Sequence, residues 1–321
     1  MVKKWMTAAA SLAVAALALA GCSSGDDPNG GDDTVEVGII TFSATDVAVN
    51  NLVRGAEEQA EALGYTTSVV DSNGSVDQAN TAMQNLAQKG VDAILVTVWP
   101  SSALASGLAS ASAAGIPVVT LGGGLADGVK LSVDDSLNEP VAEYVMGKIQ
   151  PGADVLKLTY RSGRPCQLRE DAFDAAVADQ NYTVTQQEVT IPGQVESSQA
   201  ATVAWLAANQ VAPGTSAIWT CWDDSALGAI AGLKQQGLEP GDVLVTGTNG
   251  TKEALTAIQE GWLTVTLWID HYGAGKQLVD GIQEILAAGD GWEDKEIEAN
   301  YEIVDASNVD QFIADHPEIT G

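Results

Sequence analysis

The stretch IWTCWDDSALGAIAGL, Ile218 to Leu233, places side chains with chemical capacity at the end of a short apolar run. Cys221 and Trp222 precede two adjacent carboxylates, Asp223 and Asp224, and a small-residue helical stretch follows. A carboxylate pair can act as acid and base on a glycosidic bond. Adjacent residues point in different directions, however, and acidic residues at a helix start satisfy orphan amides and suit the dipole. Asp223 and Asp224 therefore read as the capped start of a helix, with a secreted glycosidase as the weakest reading.

Other catalytic signatures are scarce. The chain has 2 histidines, His271 and His316, and lacks a nucleophile elbow, HExxH, a Walker-type loop and CxxC. Gly122-Gly123-Gly124 has neither the GxGxxG spacing nor an evident helix after it, and reads as a loop needing positive φ. Asp71-Ser-Asn-Gly-Ser-Val-Asp77 alternates oxygen ligands like an EF-hand start, but carries Val76 at the turn glycine and Ala82 at the bidentate Glu. Ser75 is expected to cap a helix there. No metal and no cofactor are expected.

The elements that must position these residues follow a regular alternation. Apolar, β-branched runs occur at 35–41, 66–71, 91–97, 117–121, 153–158, 183–191, 217–220, 243–247 and 263–269. Stretches of helical period lie between most of them, at 47–63, 76–89, 101–114, 139–149 and 197–210. This pattern predicts an α/β fold of parallel sheets covered on both faces. The strand count exceeds one such sheet, so two doubly wound lobes are expected. In open parallel sheets ligands bind beyond the carboxyl ends of the strands. Those ends nominate residues 42–46, 71–75, 99–101, 122–124, 160–164, 221–224, 249–251 and 268–271, with Asp46, Trp99, Gly122, Trp222, Asn249, Trp268 and Asp270 as the chosen candidates. Indole faces pack on the C–H face of a sugar or polyol, while carboxylates and amides bond its hydroxyls. Recognition of a small neutral polyhydroxy solute fits this set.

The N-terminus reads as an export signal. Lys3 and Lys4 precede an apolar run from Ala8 to Ala20, too short and small-residued to span a bilayer well. It ends in Leu19-Ala20-Gly21-Cys22, which resembles a bacterial lipobox, so Cys22 is the expected lipidation site. Residues 1–21 are then the signal peptide, and 22–34 the lipidated cysteine and a flexible Ser/Gly/Asp tether. An extracytoplasmic location, anchored to the cell membrane by lipid, follows. Acidic residues outnumber basic ones 43 to 14, a net charge of −29. Such a field repels phosphate backbones, which argues against nucleic-acid binding. Cys166 and Cys221 form an even pair in an oxidising compartment. They are either a disulfide worth roughly 3–5 kcal/mol or two small buried apolar side chains.

Ordered segments of the chain resemble the type I periplasmic solute-binding proteins, the ribose- and galactose-binding kind that serve ABC importers. These are VEVGIITFS, RGAEEQAEALGY, QNLAQKGVDAILVT, AAGIPVVTL, RSGRPCQLREDAFDAAV, WDDSALGAIAGLKQQG and VLVTGTNGTKEALTAIQEG. The resemblance runs from residue 35 to about residue 305. It implies two lobes joined by three crossovers near Val133, Ile269 and Asn300. One lobe would comprise 35–133 with 270–299, the other 134–269 with 300–321. It further implies closure on the ligand, an ABC permease with a cytoplasmic ATPase as partner, and action as a monomer.

Carried over by position, Asp46 falls where the family has a ligand-bonding Asn or Asp. Arg169 matches a sugar-bonding Arg, with Ala172 in place of the family's Gly. Trp222 replaces an Asn, Asp223 matches the following Asp, and Asn249 replaces an Asp. Ala48 and Val49 stand in place of paired aromatics, Gly122-Gly123 in place of Asp-Arg, and Ile269 in place of a Gln. A rebuilt pocket is implied, with aromatic mass moved to Trp222, Trp99 or Trp268. A sugar, polyol or similar solute is the leading ligand class and a nucleoside the runner-up. Presentation of a ligand to a sensory receptor is the alternative to transport.

Overall fold

The computed structural model describes residues 34–137, 147–209 and 215–320, together with Val141, Tyr144 and Val211. Cys22, the expected signal and tether through residue 33, and most of the helix expected over 139–149 lie outside the described residues.

The first sheet begins with β1 (Glu36–Thr41), β2 (Thr66–Asp71), β3 (Ala93–Thr97), β4 (Val118–Leu121) and β5 (Val129–Asp134). The second contains β6 (Asp154–Thr159), β7 (Thr183–Glu188), β8 (Ser216–Thr220), β9 (Leu244–Asn249) and β10 (Val265–Ile269). The chain then returns to the first sheet with β11 (Lys295–Glu298) and to the second with β12 (Tyr301–Asp305). The sheet orders are β11-β5-β4-β3-β1-β2 and β12-β10-β9-β8-β6-β7. Every ladder is parallel except β10–β12. This is the expected α/β architecture of two doubly wound lobes joined by three crossovers.

The central strands are nearly unbroken apolar runs because helices cover both faces, as β1 and β3 show with all or nearly all residues buried. Three strands carry a weaker pattern and escape the sequence reading. β11 reads Lys-Glu-Ile-Glu at a sheet edge and is mostly exposed, so it lacks an apolar run. β12 is the antiparallel edge strand, and β5 alternates apolar with polar residues.

The helices are α1 (Val47–Ala62), α2 (Val76–Lys89), α3 (Ala105–Ala113), α4 (Arg164–Val177), α5 (Gln194–Ala208), α6 (Asp223–Gln235), α7 (Lys252–Gln259), α8 (His271–Ala288), α9 (Val309–Asp315) and α10 (Pro317–Thr320). α2 has the expected cap, with Ser75 Oγ accepting from the Gln78 amide at 3.4 Å, and it ends on Gly90 at φ 80°. The helix expected over 101–114 starts instead as a 3₁₀ turn, Ser101–Leu104, behind Pro100.

α1 and α8 pack face to face through two glycines. A Cβ on Gly55 would meet the Tyr272 carbonyl oxygen at 2.1 Å, and one on Gly275 the Leu52 carbonyl oxygen at 2.1 Å. Both obstacles are backbone, so the helices would have to separate. Gly275→Ala should lower stability by about 1–3 kcal/mol in urea unfolding, although alanine favours the helix. Unchanged or increased stability would refute the contact.

Candidate functional site

The three crossovers lie side by side. Ala299 N donates to Asp134 O at 2.9 Å, and Asp270 N donates to Asn300 O at 2.9 Å. Asp135, one residue beyond β5, is thereby held at the junction with its carboxylate buried. His271, the first residue of α8, approaches from the second crossover. Its Nε2 lies 3.3 Å from Asp135 Oδ2, and its Nδ1 lies 3.0 Å from Ile269 O.

Arg169 reaches the same point from α4. Its Nη1 donates to Cys221 O at 2.7 Å, and its Nη2 donates to the Asp135 carbonyl and lies 3.8 Å from Asp135 Oδ2. Arg169 is 3% exposed and Asp135 4%, so each charge depends on partners buried beside it. Burial alone would raise Asp135. The hydrogen bond from His271 and the Arg169 charge outweigh it and hold the carboxyl below its usual range. Burial lowers Arg169 against the support of nearby carboxylates.

Around this cluster lies a cavity of about 50 Å³ between the lobes. Asp46, Arg169, Trp222 and Asn249, all expected site residues, line it together. Phe42, Tyr160 and His271, which fall within the nominated strand-end segments, line it too, and so does Asp135, which was not nominated. Asp135 was findable as a carboxylate beside an expected crossover. Asp46 caps α1, accepting from the Val49 amide at 2.9 Å, and burial raises its carboxyl.

The remaining expected residues point elsewhere. Trp99 is buried behind the wall. Its Nε1 donates to Ser72 Oγ at 3.1 Å, and its ring sits 4.8 Å from Phe42, which takes the cavity side. Trp268 packs on Phe312 and His316, with ring centroids 5.3 and 4.6 Å away. Asp270 caps α8 through Gly273 N at 2.7 Å. Gly122, at φ 69°, does not line the cavity but packs against Asp135; an added Cβ would meet Asp135 Oδ1 at 2.5 Å.

Asp223 is buried within its own lobe. It accepts from Thr251 N and from Thr266 Oγ1, both at 2.8 Å, and so pins the start of α6 to the turn after β9 and to the first half of β10. Asp224 accepts from Gln194 Nε2 at 3.0 Å, and the same Nε2 donates to Thr45 O of the other lobe at 3.3 Å. Neither carboxylate lines the cavity.

Cys166 and Cys221 form a disulfide spanning 55 residues. It ties the first turn of α4, which carries Arg169, to the strand end that carries Trp222. A wider groove of about 600 Å³ lies at the mouth of the cleft, between Ser75 and Arg161. It contains none of the buried polar atoms that lack a partner.

A family description matches this arrangement: residues 37–290 match the model of the periplasmic binding protein domain. The chain belongs to that family. It is 28% identical over 240 residues to the ribose import binding protein of Bacillus subtilis strain 168, covering 74% of this chain and 76% of the relative. An ABC transporter solute-binding protein from Agrobacterium vitis, solved with bound allitol, superposes with a TM-score of 0.80. It shares 19% identity, and the match covers 88% of this chain and 99% of that one. One from Mycobacterium smegmatis, solved with bound glycerol, gives 0.74 at 24% identity over 87% and 96%. At these identities the two structures share the fold. The family is one of binding proteins, and this chain is not an enzyme. Among the described residues no helix is long and apolar enough to cross a membrane.

Two predictions follow from the carboxylates and the disulfide. Burial pushes Asp223 up to about 7, from 3.8 in the unfolded chain. Between those values the folded state holds a proton that the unfolded chain has lost, so stability falls as pH rises through that window. The fall should be on the order of 1 kcal/mol per pH unit and should flatten in Asp223→Asn, measured by urea unfolding from pH 5 to 8. Replacing both Cys166 and Cys221 by Ser should cost about 4 kcal/mol of stability. A cost below about 1 kcal/mol would show that the bond constrains little.

Proposed function

We propose that the chain is the extracytoplasmic solute receptor of an ABC importer, held to the cell membrane through lipid on Cys22. It captures a small neutral polyhydroxy solute between its lobes as a monomer and delivers it to a permease. The family membership and the likeness to ribose import binding proteins support the import role. The observation that carries the ligand reading is the cavity at the crossover junction. Its guanidinium, Arg169, is already engaged by Asp135, to which His271 is also hydrogen-bonded. The cavity therefore offers no spare guanidinium to pair with an anion.

Neutral groups remain. Trp222 Nε1 and Asn249 Oδ1 are buried without a partner, a costly state that a ligand hydroxyl relieves. Phe42 and Tyr160 meet at 78°, and Tyr160 and Trp222 at 70°, edge to face. Two parallel faces that would clamp a flat base are not formed, which favours an aliphatic solute over a nucleoside.

Closure itself has identifiable fasteners. Arg164 N donates to Val98 O at 3.1 Å and Arg164 Nη1 to Gly122 O at 3.2 Å, both across the cleft. Arg164 also faces Asp134 at 3.4 Å and Glu296 at 3.7 Å. Calorimetry over sugars and polyols should find one saturable neutral ligand that also raises the melting temperature. Arg164→Ala leaves the cavity lining untouched but depopulates the closed form. Its apparent affinity should fall roughly threefold to tenfold. Unchanged affinity would separate binding from closure, and a panel without any ligand would end the proposal. Loss of solute uptake on deletion of the protein distinguishes transport from a sensory role.

A further inference from the structure

The polar atoms left unpartnered around the cavity fall into two sets. Arg169 Nε and Asp135 Oδ1 belong to residues already in contact on the crossover side. Trp222 Nε1 and Asn249 Oδ1 belong to neighbouring strand ends. The register pairs Ile218 with Val245, and carried along both chains it sets Trp222 opposite Asn249. Each set is one donor and one acceptor. A hydroxyl both donates and accepts, so each set is the complement of a single hydroxyl group. Arg169, Asp135 and Trp222 are each at least nine-tenths buried, so no bulk water relieves them.

The other polar groups of the wall already have protein partners: Asp46 the amides of Val49 and Ala48, Tyr160 the hydroxyl of Ser162, and His271 Ile269 O and Asp135. Ala48, Val49, Val98 and Ile191 are aliphatic, and Phe42 presents a ring. Ala48 and Val49 come from the first turn of α1, where the cap bond to Asp46 fixes the backbone. The cavity is small, about 50 Å³. A pyranose with a hydroxyl on every carbon would bury several of them against aliphatic side chains, each at a desolvation cost.

From this pairing we infer that the ligand is a compact aliphatic alcohol with two recognised hydroxyls on an otherwise apolar body: a short-chain diol or deoxygenated polyol rather than a fully hydroxylated pyranose. The inference rests on the reading of the chain as a receptor for neutral hydroxylated solutes and narrows it. One hydroxyl bridges Arg169 Nε and Asp135 Oδ1. The other bridges Trp222 Nε1 and Asn249 Oδ1. The carbon skeleton packs against Val49, Val98 and Phe42.

Calorimetry on the full chain tests this with 1,2-propanediol, 2,3-butanediol, glycerol and erythritol against ribose, glucose, galactose and myo-inositol. At least one of the short alcohols should bind at least tenfold more tightly than every ring compound. Trp222→Phe keeps the aromatic wall and removes one donor. It should weaken that alcohol at least fivefold, while the melting temperature without ligand stays within a few degrees. A sugar or inositol that outranks all four short alcohols overturns the inference and leaves the receptor reading standing. Unchanged affinity in Trp222→Phe overturns the hydroxyl assignment. If none of the eight compounds binds, this inference and the polyhydroxy-solute reading both fall.

Discussion

A carboxylate cannot be buried where three chain crossings meet unless opposite charge is buried with it, and Asp135 is placed there. The idealised penalty for stripping water from one such ion is many kcal/mol. Arg169 from one lobe and His271 from the other approach its Oδ2, at 3.8 and 3.3 Å. The junction therefore demands that α4 and the start of α8 be held in fixed positions. The disulfide at Cys166 and the cap at Asp270 restrain those two segments locally. Cys221 contributes twice, once as a disulfide partner and once through the carbonyl that receives Arg169 Nη1.

The same requirement explains how a chain of net charge −29 can present a nearly neutral interior site. The acidic excess is carried by exposed helix faces such as Glu57, Glu58 and Glu61, where water screens it. At the crossing, each carboxylate has an identified counter-group or is itself shifted. Asp224 illustrates the second case. Burial raises it to about 7, and the facing Asp46 adds to the rise, so the two lobes can carry acidic residues on opposing walls.

The alternation of apolar runs and helical stretches made the α/β class and the central strands legible, because a strand buried on both faces must be apolar throughout. The charged β11 was not legible, since an edge strand needs backbone pairing but no apolar run. Asp46, Trp222 and Asn249 were nominated from strand ends and Arg169 from the family resemblance, and they do meet at one cavity. Trp99 and Trp268 were nominated on the same ground and face away from it. Strand ends specify which residues are near a cleft, whereas the neighbour already stacked on a ring decides where it points. For Trp99 that neighbour is Phe42, and for Trp268 it is Phe312. Asp135 was silent, and His271 was reached only as the last residue of a strand-end segment, because their roles depend on three crossings being adjacent, a property of the fold that no local pattern encodes.

Two residues at the cavity occupy backbone conformations that L side chains rarely adopt. Val98 has φ 71° at the end of β3, and Asn249 has φ 113° at the end of β9, one in each lobe. For a β-branched residue such a φ is a true outlier, and strain of this kind costs about 1–3 kcal/mol per residue. It persists only where surroundings over-determine the chain. Val98 is fixed on one side by its own amide donating to Leu121 O at 2.8 Å. On the other side its carbonyl receives the Arg164 amide from the opposite lobe at 3.1 Å. Only the first of these restraints lies within its own lobe. The strained turn at Val98 is thus held by bonds from both lobes.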